Sequence, residues 1–326
     1  MTRTKFLKLM AALGLGMAMG TAAFADDYPS RTIRIIAPYP PGGTTDIVAR
    51  LVANGLSKSK GWTVVVENKA GAGGIVGHDY VAKAAPDGYT LVLGNSAMLA
   101  VSVSLFPQLA YNPIKDFAPI TEAAAGPLVL EVKPSLPVHS VQELLALAKS
   151  QPGKLNAGLS ALGSMHHLTT EVIKYRTGLT WTDVPYKGSG PMLVDILGGQ
   201  LDFAFDNVPS SLPYIKDGKL RAIAVSSPQR TDLLPGVPTL DESGLKGVEA
   251  VAWHGVLAPA GTPAPIIKLL HDEVVKILNA PDMKEKLNAL GLEPVGNTPE
   301  EFGQFIKDEN VKWAKIAKDA NVKLEQ

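Results

Sequence analysis

Short apolar runs alternate with amphipathic stretches along most of this chain. Runs at 33–37, 63–67, 90–94, 128–132, 155–158, 201–205, 220–225 and 252–258 have the length and content of buried strands. Between them, 45–57, 75–84, 141–149, 167–177, 191–198 and 209–217 repeat their apolar positions with helical period. The tail is helical over 265–279, 281–290 and 299–320. This alternation predicts an α/β fold with largely parallel sheets. Ser140-Val-Gln-Glu143 and Thr298-Pro-Glu-Glu301 read as capping boxes, the second with proline at the first helical position.

The junctions between these elements carry the chemistry. Residues 38–46 read Pro-Tyr-Pro-Pro-Gly-Gly-Thr-Thr-Asp and join the first strand to the first helix. The first amides of a helix lack internal partners, and its N-terminus carries roughly half a positive charge. A proline-stiffened loop ending in Gly42 and Gly43 can therefore hold an anion through backbone, with Tyr39, Thr44 and Thr45 beside it. The rival reading is an ordinary connecting turn. A second loop of the same kind, residues 160–167, offers Ser160, Gly163, Ser164, Met165, His166 and His167. Two further strand ends bring Ser96 and Met98, and Asp206 and Asn207. Ligands of open α/β sheets bind beyond the carboxyl ends of strands, so all four loops are candidates for one crevice.

Composition narrows the setting. Arg3, Lys5 and Lys8 precede an apolar stretch, and Ala23-Phe-Ala25 is a small-x-small site, the pattern of a secretory signal peptide cleaved after Ala25. The full chain has 31 basic and 31 acidic residues; removing the signal leaves 28 against 31, a net charge of −3. Such a protein has no general attraction for nucleic acid, so an anion must be held by local dipoles. There is no cysteine, which excludes disulfides, thiolate metal sites and a cysteine nucleophile. An exported chain with 46% apolar residues must then rely on a large core, split between two domains. Small residues at 119–127 fit one crossing between domains. The Pro-, Gly- and Ser-rich segment 226–249 fits the return, making a two-segment hinge. The expected partition is 26–124 plus 251–326 against 125–250.

Other chemistries fit less well. The glycines of 71–77 miss the dinucleotide spacing, since Val76 stands where the third glycine belongs. No phosphate-loop Gly-Lys-Ser/Thr occurs. Residues 158–162 approach a nucleophile elbow but lack its last glycine. An exported hydrolase of a small ester or lactone, with Ser160 as nucleophile and His254 or His271 as base, is the alternative function. His166 and His167 are adjacent on a helix and point about 100° apart, which argues against a shared metal. One of them is expected to face the cleft and the other to pack. His78 and His139 read as surface residues, and Trp181 and Trp253 as core.

Several segments together resemble the periplasmic receptors of tripartite tricarboxylate transporters, the Bug receptors. They are Pro40-Pro-Gly-Gly-Thr-Thr-Asp46 with Ala49-Arg50, Val66-Glu-Asn-Lys-Ala-Gly-Ala-Gly-Gly74 and Ala85-Pro-Asp-Gly-Tyr-Thr-Leu91. The others are Val184-Pro-Tyr-Lys-Gly188, 197–202, Gly218-Lys-Leu-Arg221 and 253–263. The resemblance spans the whole chain after the signal. It implies a two-domain, type II periplasmic-binding-protein fold, a Venus flytrap, that closes on a small organic acid anion. It implies no catalysis and no cofactor, with delivery to a membrane transporter of large and small subunits. A sensor kinase as recipient would leave the same sequence pattern. The family's first loop and its second-domain counterpart hold a carboxylate, which points to Tyr39–Thr45 and 160–167 here. One departure stands out. Where the family often reads Gly-Ser-Ser-Ser-His-Leu, this chain has Gly163-Ser-Met-His-His-Leu168. Met165 and His166 in place of two small hydroxyls lead to the expectation of an aromatic over an aliphatic acid.

Overall fold

The structure is a computed structural model that describes residues 28–105 and 108–319. The expected signal peptide lies outside the described residues. In chain order the elements are β1 (Ile33–Ala37), α1 (Thr44–Lys60), β2 (Val64–Asn68), α2 (Ile75–Ala82), β3 (Thr90–Asn95), a π-turn (Ala97–Val101) and α3 (Ser102–Leu105). Then come β4 (Phe117–Val132), α4 (Val141–Ser150), β5 (Asn156–Leu159), α5 (Met165–Thr177), β6 (Thr182–Pro185), α6 (Ser189–Leu197), β7 (Phe203–Asn207) and α7 (Val208–Lys216). The last are β8 (Arg221–Val225), β9 (Val251–Pro259), α8 (Ala264–Leu278), α9 (Pro281–Ala289), β10 (Glu293–Pro294) and α10 (Pro299–Asp319).

The strands run in the order β2-β1-β3-β9-β4-β7-β5-β6. The outer pairs β1–β2, β1–β3, β5–β6 and β5–β7 are parallel, as the alternation of strands and helices requires. Every antiparallel pair involves β4 or β9, which corrects the expectation of largely parallel sheets. β4 and β9 run opposite to each other, β4 runs opposite to β7, and β9 runs opposite to β3. β4 pairs with β9 from Phe117 to Pro127 and with β7 from Leu128 to Val132. It thus passes from one half of the sheet to the other, as a two-domain receptor fold demands.

The segment 226–249 is not the return. The Ala250 amide donates to the Ser226 carbonyl at 3.1 Å and Leu240 to Val225 at 2.9 Å, so the segment folds back on the end of β8. β9 starts at Val251, just after it, and pairs with β4 and β3. Its composition reads as an ordinary buried strand, so sequence does not mark it as a linker.

Packing explains the rest. α1 buries Val48, Ala49, Val52, Ala53 and Leu56 against Ile33, Ile35 and Leu91 of the sheet. Both capping boxes form: the Ser140 hydroxyl accepts from the Glu143 amide, and Thr298 from the Glu301 amide, each at 3.2 Å. Trp253 is core, and its indole shares the Glu309 carboxylate with Trp313. His78, expected on the surface, is fully buried, stacked on Tyr111 and donating to the Gly74 carbonyl at 2.9 Å. Burial pushes its pKa down to about 4. Its short helix buries Gly77, His78 and Val81, and the element that covers them is not visible in the local sequence.

Candidate functional site

Loop 38–43 leaves β1 and enters α1, whose N-cap is Gly43 with extended backbone and no side-chain cap. The first amides of α1 are therefore not consumed by a capping side chain. The loop's shape is fixed from behind. Gly42, at φ +92, donates its amide to Asp46 Oδ2 at 3.2 Å. Arg50 grips the same carboxylate through Nε and Nη2 at 3.1 and 2.8 Å. Asn68, at the end of β2, joins Asp46 Oδ1 at 2.8 Å to the Tyr39 carbonyl at 3.0 Å. Burial pushes the Asp46 carboxyl up, but these donors outweigh it and hold the group below the usual carboxylate range. The glycines of 71–77 serve close approach: a Cβ on Gly77 would lie 2.7 Å from Pro38, and one on Gly74 2.9 Å from the Tyr39 hydroxyl.

The second jaw differs in kind. α5 starts at Met165, earlier than the periodicity indicates, because Ser164 caps it by accepting from the His167 amide at 3.1 Å. Gly163 donates its amide to His167 Nδ1 at 3.2 Å. His166 instead turns to Ser160, with Nδ1 against the serine hydroxyl. One histidine faces the crevice and its neighbour packs, as a 100° rotation between them requires.

The two jaws meet. Thr44 Oγ1 and Ser210 Oγ lie 2.9 Å apart across the domains. Gly188 sits against Pro40, and Ser102 donates to the Gly163 carbonyl at 3.3 Å. Between them lies a crevice of about 40 Å³. Of the predicted residues, Tyr39, Gly43, Thr44, Thr45, Ser96, Ser160, Ser164, Met165, His166 and Asn207 line it. Five do not. Gly42 is committed to Asp46, and Gly163 and His167 to each other. Met98 lies within the π-turn and is fully buried, its sulfur facing Ser102. Asp206 is fully buried behind the wall, accepting from Ser189 and Ser211. Burial raises its pKa to about 6, and Glu131 beside it rises for the same reason.

The crevice also contains Pro40, Asn95, Ala97, Gly188, Ser189, Ala252 and His254. Gly188 and Ser189 follow β6, whose Thr-Asp-Val-Pro sequence is too polar and short to read as a strand. The glycine before a helix was the available signal. Asn95 accepts from Tyr39 Oη at 3.4 Å and donates to Thr45 at 3.3 Å, organising the first jaw. Neither histidine expected as a hydrolase base meets Ser160: that hydroxyl contacts His166, and His271 bonds the Ile120 carbonyl at 3.0 Å. His167, Glu171 and Asp183 gather within 4.8 Å, the one such group among the described residues. The Lys174 ammonium already bridges its two carboxylates, so the cluster is an ion pair rather than a metal cradle.

Comparison with known proteins decides what this clamp belongs to. Residues 48–322 match the family described as tripartite tricarboxylate transporter family receptor. This chain belongs to that family. Protein BugT of Bordetella pertussis is 43% identical over 321 residues, covering 97% of this chain and 98% of BugT. The structure of R. palustris Rpa4515 with adipate superposes with a TM-score of 0.89 at 39% identity, covering 91% of this chain and 99% of that one. MatC from Rhodopseudomonas palustris with bound malate gives 0.85 at 33%, covering 89% and 99%. The protein is thus a periplasmic solute receptor of the tripartite tricarboxylate transporter type, a binding protein rather than a hydrolase. No helix among the described residues is long and apolar enough to cross a membrane.

Proposed function

We propose that this receptor captures a small organic acid anion in the crevice between its two jaws and delivers it to the large and small membrane subunits of its transporter. The observation that carries this reading is the convergence of two helix N-termini, α1 from one domain and α5 from the other, on one crevice. The uncapped start of α1, with Thr44 and Thr45, takes the carboxylate; the start of α5 closes over it. Relatives seen with adipate and malate support a carboxylate as the solute class. At about 40 Å³ the crevice is far smaller than a small-molecule site, so the solute enters as the jaws part at β4 and β9. The hinge divides the chain into 26–124 plus 251–326 and 125–250, and the signal is removed after Ala25.

A thermal-shift screen against organic acids tests this. A true solute raises the melting temperature with concentration, because it binds the folded state alone. A set of mono-, di- and tricarboxylates none of which shifts the transition rejects the reading.

A further inference from the structure

Two buried carboxyls stand side by side behind the crevice wall with no cation between them. Glu131 on β4 and Asp206 on β7 are both fully buried. In the antiparallel pairing Glu131 lies opposite Ala204 and Asp206 opposite Val129, so the acids are diagonal neighbours on one face of the sheet. Neither oxygen of Glu131 has a hydrogen-bond partner. Asp206 accepts from Ser189 through Oδ1 and from Ser211 through Oδ2, the latter at 3.2 Å. Ser211 neighbours both acids, but it has a single proton to give, and Asp206 takes it. Around the pair, α6 and α7 bring only these serines and β8 brings Ala222. α5 brings His166, whose Nε2 lies 3.8 Å from Asp206 Oδ1. Burial keeps that imidazole neutral, with its pKa pushed down to about 4, and His254 beyond it is lower still. Further along the same strands, Lys133 is committed to Asp202 at 2.7 Å. Among the described residues, neither acid of the pair has a lysine or arginine partner.

Two carboxyls in one dry site without a cation resist full ionisation, because burial and like charge both penalise the second negative charge. The pair therefore retains a proton near neutral pH. The state of Asp206 matters to the crevice because its partner Ser189 lines it. Against an ionised Asp206 the Ser189 hydroxyl must donate inward, which leaves only its lone pairs for the crevice. Against a protonated Asp206 the bond reverses: the carboxyl donates to Ser189 Oγ, and the serine proton is free to point at an anion. An anion in the crevice also disfavours negative charge on Asp206 just behind the wall. Hydrogen bonding and electrostatics thus act in the same direction.

We infer that Glu131 and Asp206 form a proton site linked to the solute site: capture of an acid anion draws one proton from solvent onto the pair, and protonated Asp206 sets Ser189 as a donor to the anion. This rests on the receptor reading above, in which an anion is held in the crevice. Glu131 and Asp206 are positioning groups, since neither lines the crevice. The proton returns to solvent when the anion leaves. Because binding takes up a proton, affinity falls as pH rises above the range in which Asp206 of the free protein titrates.

Titration calorimetry of protein produced from the full-length chain provides the test, with succinate, malate, adipate, hexanoate and benzoate as probes. Each is titrated in phosphate and in Tris at the same pH, because the two buffers differ in heat of ionisation and so report protons taken up. An acid that binds should bring about half to one proton near pH 7.5, and should lose roughly three- to tenfold in affinity per pH unit between about 7 and 8.5. Carboxylic acids titrate near pH 4, about three units below this window, so the probes do not contribute to the slope. Asp206→Asn, a neutral isostere, should abolish the uptake, flatten the profile and bind tighter than wild type at about pH 8. Glu131→Gln removes the like charge beside Asp206, so its fall in affinity should begin at lower pH. Damage to the fold would instead weaken binding equally at every pH, and melting curves report it separately. Zero uptake by wild type, uptake retained in Asp206→Asn, or a Glu131→Gln profile identical to wild type would overturn the inference and leave the receptor reading standing. If no acid of any class binds, both fall together.

Discussion

The two jaws of the clamp are both glycine-containing loops that open helices, yet they spend their polar groups differently. In the first, side chains hold the loop from behind: Asp46, Arg50 and Asn68 form one hydrogen-bonded unit that leaves the start of α1 uncapped. In the second, side chains turn inward onto the loop itself, with Ser164 capping α5 and His167 bonding Gly163. Backbone amides aimed at a crevice favour any carboxylate. Side chains such as His166 and Asn207 vary in shape and hydrogen-bonding pattern. The difference teaches that, on the function proposed above, affinity for an anion and choice among anions would fall to opposite sides of one crevice.

The largest expected effect breaks the first jaw directly. Gly43→Pro removes an amide at the start of α1, and loss of a charge-assisted hydrogen bond of about 1.5–3 kcal/mol corresponds to roughly 10–100-fold weaker acid binding by calorimetry. Thr44→Val should act in the same direction and also remove the contact with Ser210. Unchanged affinity in both variants would dissolve the distinction between the jaws.

The support behind that jaw comes next. Asn68→Ala leaves the Tyr39 carbonyl and Asp46 each one donor short, and should lower stability by about 1–3 kcal/mol while weakening binding. Urea unfolding and calorimetry read the two effects separately. A stability loss without any change in affinity would show that loop shape does not matter for the anion. The matching change in the second jaw, Ser164→Ala, should cost about 1 kcal/mol of stability through the lost cap. Its effect on affinity should be the smaller of the two, because that hydroxyl already serves the His167 amide.

The smallest effect sharpens the comparison through pH. Asp46 has a depressed pKa, so its contribution to stability is present above the unfolded value near 3.9 and is lost as pH falls through the folded value. Asp206 is raised to about 6, so its contribution is fully present below about 3.9 and is lost as pH rises through about 6. Melting temperatures measured relative to wild type should therefore move oppositely. Asp46→Asn should fall behind wild type as pH rises from about 3 to 5, and Asp206→Asn should gain on wild type as pH rises from about 4 to 7. Parallel trends in the two variants would contradict the opposite environments of these carboxylates.

Much of the fold was legible before any coordinates. Seven strands were placed within a few residues, because buried strands are short apolar runs bounded by turn residues; of β4, which runs from Phe117 to Val132, only 128–132 was read as strand proper and 119–127 as a crossing. β6 escaped because it is short, half-exposed and carries Asp183 and Pro185. With it went Gly188 and Ser189, although their loop is of the same type as 38–45. Segment 226–249 looked like a linker by composition, yet it folds back on β8. β9, which follows it, is buried along all but its first residue, so its composition carries no mark of a hinge.

The line between sequence and structure follows from the range of the interactions involved. Local pattern alone determined that loops 38–45 and 160–167 open helices, since strand content, glycines and N-capping residues act within a few positions. The whole-chain resemblance added that these loops belong to a carboxylate receptor. Only the tertiary structure decided which groups remain free. Asp46 is bound by a residue 22 positions away, His78 is buried by Tyr111, and His166 and His254 are left with unpaired nitrogens on one crevice. A side chain's partner, unlike its helix or strand, is set by what the rest of the chain brings to it.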